Sequence, residues 1–404
     1  MINKLIWRNL WRNQRRSFIA MASVAFAVLL AVTMKSMQKG VFDNLIKNVV
    51  SFYSGYIQVH KYGYWEEQNL DNSFEYSGVF IDSIMKVSNV SGGVARIESF
   101  VLASSGSSTY GCLLVGTQPK EENLLTSLQN KITSGTYFSD GKSGAIVSEG
   151  LAMRLDVSVN DTIVLLGQGY HGTTAAGKYP ISGLAHFGSP QLNDGLVFLT
   201  LATAQDFLSA GNKITTIAIN VSSPAFLEQS AAAISTSSGK EYEVLTWKNI
   251  MPDIDNHMRA DNIDFYIFVG VLYLLIAFGL FGTILMMLTE RRYELGMMMA
   301  IGMKRMHLAL MLTGETILIS TLGTIFGLLL SYPVVKYFEQ HPLVFSGGLK
   351  EAYTKFGFEP IWPATLELNI FLTQAAIVFA LSLIIGLFPL VKIMRMDAIT
   401  TMKR

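Results

Sequence analysis

Cysteine occurs once in 404 residues, at Cys112. A lone thiol excludes an intramolecular disulfide and any multi-cysteine metal site. Beside Leu113 and Leu114 it reads as a packed strand residue. The six histidines, His60, His171, His186, His257, His307 and His341, show no HExxH or paired ligand spacing, so no metal centre is expected. Nucleotide-hydrolysing motifs are missing as well. Gly141, Lys142 and Ser143 look like the end of a phosphate loop, but G-x-x-x-x-G-K-S requires glycine at position 136, which is Thr136. Ser346, Gly347 and Gly348 match only a fragment of an ATPase signature. The GxGxxG run at 167–172 leads into TTAAGKYP, not into a helix whose amides would hold a pyrophosphate, so it reads as a glycine-rich loop. No catalytic constellation, cofactor site, lipidation box or nucleic-acid-binding feature is found, and no enzymatic activity of its own is expected.

Charge is scarce too. Charged residues make up 15% of the chain against 50% hydrophobic, with a mean hydropathy of +0.36, which is too apolar for an ordinary soluble enzyme. The apolar residues concentrate in runs at 18–34, 265–288, 308–332 and 370–391. Crossing a hydrocarbon core takes about 20 residues of helix, so the last three suffice. The first is helped by Arg16 and Lys35 snorkelling toward the interfaces. It reads as a retained span, since no small-x-small cleavage site follows it and the helical pattern continues. Thirteen of the 31 basic residues sit beside span ends, with only Glu290, Glu294 and Asp397 as acidic company. The positive-inside rule then puts both termini and residues 289–307 in the cytosol, and the long segment after the first span outside. The expected fold is an α-helical membrane protein with four transmembrane helices plus a large mixed α/β extracytoplasmic domain of two lobes.

Residues 1–16 read as an amphipathic elbow helix. Ile6, Trp7, Leu10 and Trp11 share one side, and Arg8, Arg12, Arg15 and Arg16 the other, which suits the cytoplasmic headgroup layer. Apolar spacing at Met34, Met37, Val41, Leu45 and Val49 extends the first span into a stalk, giving a unit of 17–50. A second stalk and span cover 251–288, with Pro252 suited to a helix start. The outer domain spans 51–250. Its β-rich runs lie at 56–60, 94–103, 110–116, 162–166, 196–200 and 214–221, and its helical patterns at 80–87, 123–132, 148–155, 202–210 and 224–235. A βαββ half is interrupted at about Pro119 and resumed by a βαβ half after Lys213, so about 119–212 is expected to be an inserted second lobe. The remaining divisions are 289–307, a third span at 308–332, an outer loop at 333–369, a fourth span at 370–391 and a cytoplasmic tail at 392–404.

Between the second and third spans stands LTERRYELGMMMAIGMKR, residues 288–305. A charged, glycine-punctuated segment there must leave the bilayer, form a short helix and re-enter at once. It resembles the coupling helix of the FtsX-like, MacB-type (type VII) family of ABC transporter permeases, whose pattern is roughly E-R-R-x-E-I-G-x-x-x-A-I-G. Glu290, Arg291, Arg292, Glu294, Leu295, Gly296, Ala300, Ile301 and Gly302 stand at the matching places. The run GAIVSEGLAMRLDV at 144–157, followed by Asn160, Asp161 and Thr162, is similar to the periplasmic core domain of the same family, with Asn160 in place of a glycine. The tail keeps Pro389, and Asp397, Ala398 and Ile399 stand in for an acid, alanine and leucine, while Arg395 replaces a usual proline. In layout the chain is nearest to the lipoprotein-releasing (LolC/LolE-like) permeases.

The resemblance implies a permease subunit that works by mechanotransmission in the inner membrane. A separate cytosolic ABC ATPase dimer would press on the coupling segment at Glu290, Arg291, Arg292, Glu294, Gly296, Ala300 and Gly302. A second permease subunit, identical or paralogous, membrane lipids, and lipoproteins with a periplasmic carrier complete the expected partners. Release of lipoproteins toward the outer membrane is the leading reading. The alternatives are a macrolide- or peptide-efflux permease, and a regulator of a cell-wall hydrolase. Gly169, Tyr170, His171 and Tyr179, in a flexible hairpin arm, are the candidate carrier-contact loop. Gly323 and Gly327 form a GxxxG face that permits close helix approach, read with a lean toward a dimer seam. Ser23, Ala27 and Ala31 in the first span, and Ser382 with Gly386 in the fourth, offer similar small-residue faces. Glu315, an acid roughly two turns inside the third span, is expected to serve packing or coupling in preference to proton transport.

Overall fold

The computed structural model describes residues 2–12, 14–138, 144–355 and 360–395. The phosphate-loop fragment at 141–143 and the tail residues Asp397, Ala398 and Ile399 lie outside the described residues. Along the chain run α1 (Ile2–Arg12), α2 (Gln14–Val49), β1 (Ile57–Lys61), α3 (Gly78–Met85), β2 (Val90–Ser105), β3 (Ser108–Thr117), α4 (Pro119–Thr126), β4 (Ile132–Gly135), β5 (Ala145–Ser148), α5 (Glu149–Leu155), β6 (Thr162–Gln168), β7 (Thr174–Ala185), β8 (Leu196–Thr200), α6 (Leu201–Phe207), β9 (Thr216–Val221), α7 (Leu227–Ser238), β10 (Tyr242–Thr246), α8 (Pro252–Glu290), α9 (Arg292–Ala300), α10 (Arg305–Gln340) and α11 (Leu368–Met394). Contacts divide the chain into a helical unit (Met1–Asp43, Met258–Val344, Ile361–Arg404) and an outer unit (Asn44–His257, Phe345–Pro360).

Four helices of the described residues are long and apolar enough to cross a bilayer: α2 over Ser17–Lys47, α8, α10 and α11. In hydrocarbon, apolar burial gives helices little reason to associate, so close backbone packing must do it. Gly323 and Gly327 supply that closeness. A Cβ on Gly323 would lie 2.8 Å from the Met21 carbonyl oxygen, and one on Gly327 would lie 2.7 Å from that of Ala25. The GxxxG face is therefore spent within the chain, against α2, which corrects the lean toward a dimer seam. Ala27 and Ala31 are buried beside it, whereas Ser23 faces outward. On α11, Ser382 is buried and a Cβ on Gly386 would meet Thr316 of α10. Val24, Val28, Leu280, Val335, Phe371 and Val378 fill the space between the helices.

α10 also outlasts the expected span end at 332. It runs through Pro333 to Gln340, because Val335 stays fully buried and packing outweighs the backbone hydrogen bond that proline removes. Exchanging Gly323 for leucine should force α2 and α10 apart and cost about 1–3 kcal/mol. A lowered melting temperature of the purified chain in detergent is the expected reading, and an unchanged one would count against this packing.

In the outer unit one ten-stranded sheet carries the order β10-β1-β9-β2-β3-β8-β5-β7-β4, and β6 pairs with both β2 and β7. Those last pairings close a ring, β2-β3-β8-β5-β7-β6. Alternate residues point inward and fill it: Val101 and Ala103, Cys112 and Leu114, Ile163 and Leu165, Val197 and Leu199. Burial there pushes the Cys112 thiol up to about 12, so it is a packing residue. The segment between Pro119 and Asn212 thus contributes strands to a ring that β2 and β3 complete, and it shares its sheet with the flanking halves. β4, β5, β7 and β10 are strands that periodicity had not marked, and β4 begins at Ile132, where the helical pattern 123–132 was expected to end; a 12-residue β7 replaces the expected loose arm.

A buried ion cluster ties this sheet to its cover. Arg96, fully buried on β2, donates through Nε and Nη2 to both oxygens of Glu122 on α4, at 2.8 and 2.6 Å, and through Nη1 to the Tyr53 carbonyl at 2.6 Å. Thr117 and Thr126 donate to the same carboxylate. Burial works to raise the Glu122 pKa, but Arg96 and the two hydroxyls outweigh it and hold the carboxyl below its ordinary range. Tyr53 lies on the turn Val50–Ser54 that follows α2. Nearby, Ile57 pairs with Thr246 and the Trp247 amide donates to the Tyr56 carbonyl, so the strands entering and leaving the outer unit lie side by side.

His60 on β1 is buried, stacked on Tyr64 at 5.0 Å and bonded to the Thr215 carbonyl and Gln58. Burial lowers its pKa to about 4, against a smaller opposing effect of the Thr215 carbonyl. The unfolded chain therefore binds the extra proton first. His60's contribution is complete above pH 6.5, declines as pH falls, and is lost below about 4, amounting to roughly 3 kcal/mol. Replacing His60 by glutamine should flatten the melting temperature of the outer unit between pH 6.5 and 4, and an unchanged slope would exclude this residue as its source.

Candidate functional site

α9 is nine residues long because both of its ends are fixed by local chemistry. α8 stops at Glu290, and Arg291 breaks the helix as the N-cap of α9 (φ −92°, ψ 4°). At the other end Gly302 has φ +101°, a conformation that favours glycine. Its amide donates to the Met299 carbonyl and that of Met303 to the Met298 carbonyl, both at 3.0 Å. This is a Schellman closure, which satisfies the last carbonyls and turns the chain sharply into α10.

The face of α9 toward the bundle carries Leu295 and Gly296, both buried. Leu295 packs with Ile284, Leu288, Leu308, Leu312 and Ile393. Arg291 points the same way. Its Nη1 donates to Glu315 Oε2 at 2.7 Å, with side chains 5% and 0% exposed. The intramembrane acid that stood out in the sequence is thus an ion-pair partner for the residue capping α9. α1 lies over the same region: a Cβ on Gly314 would meet Ile6 Cδ1 at 2.5 Å, and Leu10 is buried against Ala20 and Ile319. Trp7 and Trp11, expected on the same side as Ile6 and Leu10, are instead exposed and pack edge to face at 6.0 Å. Arg12 reaches Glu294 at 2.6 Å, but with side chains 60% and 46% exposed this bridge is a weak tie.

The opposite face bears a ridge that the motif marked only at Ile301. Tyr293, Met297 and Ile301, four residues apart in turn, are 62%, 44% and 80% exposed. Of the residues singled out in the sequence, Glu290, Arg292, Ala300 and Gly302 are exposed and Glu294 is half-exposed, whereas Arg291 and Gly296 are buried. The ridge occupies two "x" positions and one isoleucine position of the family pattern. Four-residue spacing was the available signal.

In the outer unit the β6–β7 hairpin turns at Tyr170–Gly172. The turn is pinned: the Tyr170 amide donates to the Leu208 carbonyl at 2.8 Å, and the His171 amide to Asp71 Oδ1 at 3.1 Å. Tyr179 lies further down the ladder, opposite Ile163, with its ring edge-on to Phe207 at 6.1 Å. The structure groups Gly169, Tyr170 and His171 but leaves Tyr179 apart. An exposed apolar patch that sequence reasoning missed lies on the neighbouring strands, where Leu102 pairs with Leu166 and Phe100 lies on the same face of β2.

The FtsX-like permease C-terminal family matches residues 266–398, and the MacB-like periplasmic core domain family matches residues 17–237. The two matches together take in α2 from residue 17, α8 from residue 266, all of α10 and α11 and most of the outer unit, and the chain belongs to the FtsX/MacB-type family of ABC transporter permeases. No curated protein matches it. Among solved structures it is similar to the extracellular domain of the ABC-type transporter YknZ from Gram-positive bacteria, at 16% identity over 47% of this chain and 99% of that one, with a TM-score of 0.34. It is also similar to the periplasmic region of MacB from Actinobacillus actinomycetemcomitans, at 10% identity over 54% of this chain and 98% of that one, with a TM-score of 0.37. Membership makes the chain the permease component of an ABC transporter, a membrane protein with an extracellular domain, and implies an ABC ATPase partner and a paired permease.

The Arg291–Glu315 pair yields a test. Removing either partner alone leaves a buried charge, at a cost of about 3–5 kcal/mol, while replacing both with apolar residues of similar volume should be close to neutral. Thermal unfolding should show Arg291→Met and Glu315→Leu each strongly destabilised and the double variant largely restored. Simple addition of the two losses would mean that the groups do not act as a pair.

Proposed function

We propose that α9 is the coupling helix through which a separate ATPase drives this permease by mechanotransmission. The observation that carries the reading is the exposed Tyr293, Met297 and Ile301 ridge on a helix whose other face is locked by Arg291, Leu295 and the Gly302 closure. An apolar ridge in a basic, membrane-flanking segment fits a protein groove, with Glu290, Arg292 and Glu294 as its polar rim. On this reading both termini and residues 289–307 face the cytosol of a bacterium, and the outer unit lies in the periplasm. ATP-driven closure of the partner presses α9, and α2 and α8, each longer than a bilayer requires, transmit the motion outward.

The substrate class we favour is lipid-anchored protein, released from the inner membrane to a soluble carrier. Its support is the layout expected from the sequence and the hairpin turn at Tyr170–Gly172. Efflux and hydrolase-regulating permeases share the features described so far.

Ile301→Glu and Met297→Glu place charge on the ridge without touching the core. Each should lower permease-stimulated ATPase activity in the reconstituted complex by about tenfold, equivalent to about 1.4 kcal/mol of docking energy. Full stimulation by both variants would remove α9 as the contact. With a lipoprotein and a carrier supplied to the same proteoliposomes, ATP-dependent transfer is expected. ATP hydrolysis without transfer would turn the reading toward efflux or regulation.

A further inference from the structure

A cavity of about 500 Å³ lies in the helical unit among α2, α8, α10 and α11. Ile19, Ala20, Leu280, Ile284, Met287 and Ile319 form its apolar walls. Five hydroxyl residues reach it, and four are already committed to backbone carbonyls: Ser17 to Leu10, Thr283 to Gly279, Thr316 to Leu312 and Ser382 to Val378; Ser320 is the fifth. Water needs two to four polar partners to settle in such a space, and these walls offer few. A second helix does not fit either, since the volume holds about one turn of a helix 10 Å across. A hydrocarbon chain meets both conditions. The mouth opens between α2 and α8, where Ile19 and Met286 are exposed. At the rim stands Arg15, which forms no ion pair among the described residues, whereas Arg12 one turn earlier is engaged by Glu294.

We infer that this cavity is a binding site for one acyl chain of an anionic phospholipid, whose phosphate is held by the Arg15 guanidinium. The charge and the walls point to the same ligand: basic groups beside pockets between transmembrane helices select anionic head groups of the cytoplasmic leaflet, and an unbranched chain fills an apolar slot that water leaves unsatisfied. The inference rests on the orientation proposed above. Bound there, the lipid would wedge α2 from α8 at the end of the bundle where α1 and α9 lie.

Lipid retention is read without any ATPase, so its outcome is separate from that of the coupling reading. The full chain is reconstituted in nanodiscs with equal phosphatidylglycerol and phosphatidylethanolamine, moved to mild detergent, and its retained lipid counted by native mass spectrometry. One phosphatidylglycerol per chain is expected. Arg15→Gln should reduce the preference for phosphatidylglycerol about fivefold while a lipid is still held. Gly282 lines the cavity, and a Cβ there meets nothing within 4 Å, so Gly282→Leu should fill the space without strain and abolish retention. Equal retention of the two lipids by the natural chain, or unchanged retention in a folded Gly282→Leu variant, would overturn the site. So would efficient disulfide cross-linking of two copies through Gly282→Cys, which would show a second chain at the mouth.

Discussion

The ion pair between Arg291 and Glu315 is the constraint on which the proposed lever depends. Its two charges are out of water, so either one alone would be a large penalty, and the geometry that joins them must persist through any working motion. Arg291 caps α9 and Glu315 lies on α10. On the proposed reading a displacement of α9 is therefore carried by α10. From α10 it passes to α2, because Gly323 and Gly327 bring the two backbones into contact with no side chain between them to yield. Each link is a rigid element joined to the next by a contact that cannot slide without a clash or a stranded charge, which is the physical content of a coupling path.

The outer unit solves a different problem with the same kind of device. Its sheet must hold the turn that follows α2, and Arg96 does so by donating to the Tyr53 carbonyl while its other nitrogens are clamped by Glu122. Because β1 and β10 are neighbours, the strands that begin and end the unit are fixed to each other by ladder hydrogen bonds. A change of separation between the chain ends that flank the unit would have to be taken up there or by the sheet as a whole. The closed six-strand ring, filled by alternate side chains, resists shear and leaves no free edge between its members.

The four spans and α9 were legible in the sequence because bilayer crossing and re-entry impose long runs and punctuation that chance rarely supplies. In the outer unit the signal was alternation, which made β1, β2, β3 and β9 legible and left β10 unmarked. What escaped was what depends on contacts distant in sequence. Nothing around Arg96 marks it as buried, since its partner lies 26 residues away and its environment is made by α4. β7 was hidden by its two glycines and its proline, which edge and ring positions tolerate when neighbours supply the ladder. The coupling motif drew attention to its charges, whereas the ridge of Tyr293, Met297 and Ile301 sits mostly at positions that the motif leaves open.

That difference between marked and unmarked positions follows from what each residue does. Arg291 and Gly302 determine the shape and seating of α9, and few other residues satisfy a buried ion pair or a positive φ. Such positions make a visible pattern. On the proposed reading a docking ridge asks only for apolar bulk at four-residue spacing, matched to whatever partner evolved with it, and so two of its three positions, Tyr293 and Met297, have no fixed residue type. Glu294 stands between these cases. Its bridge to Arg12 is exposed and weak, so on the proposed reading a partner's cation replaces Arg12 at little cost. Arg291 has no such freedom. On the proposed reading the helix therefore carries its exchangeable charge outward and its locked charge inward, which a lever needs if it is to release a partner without releasing its own fulcrum.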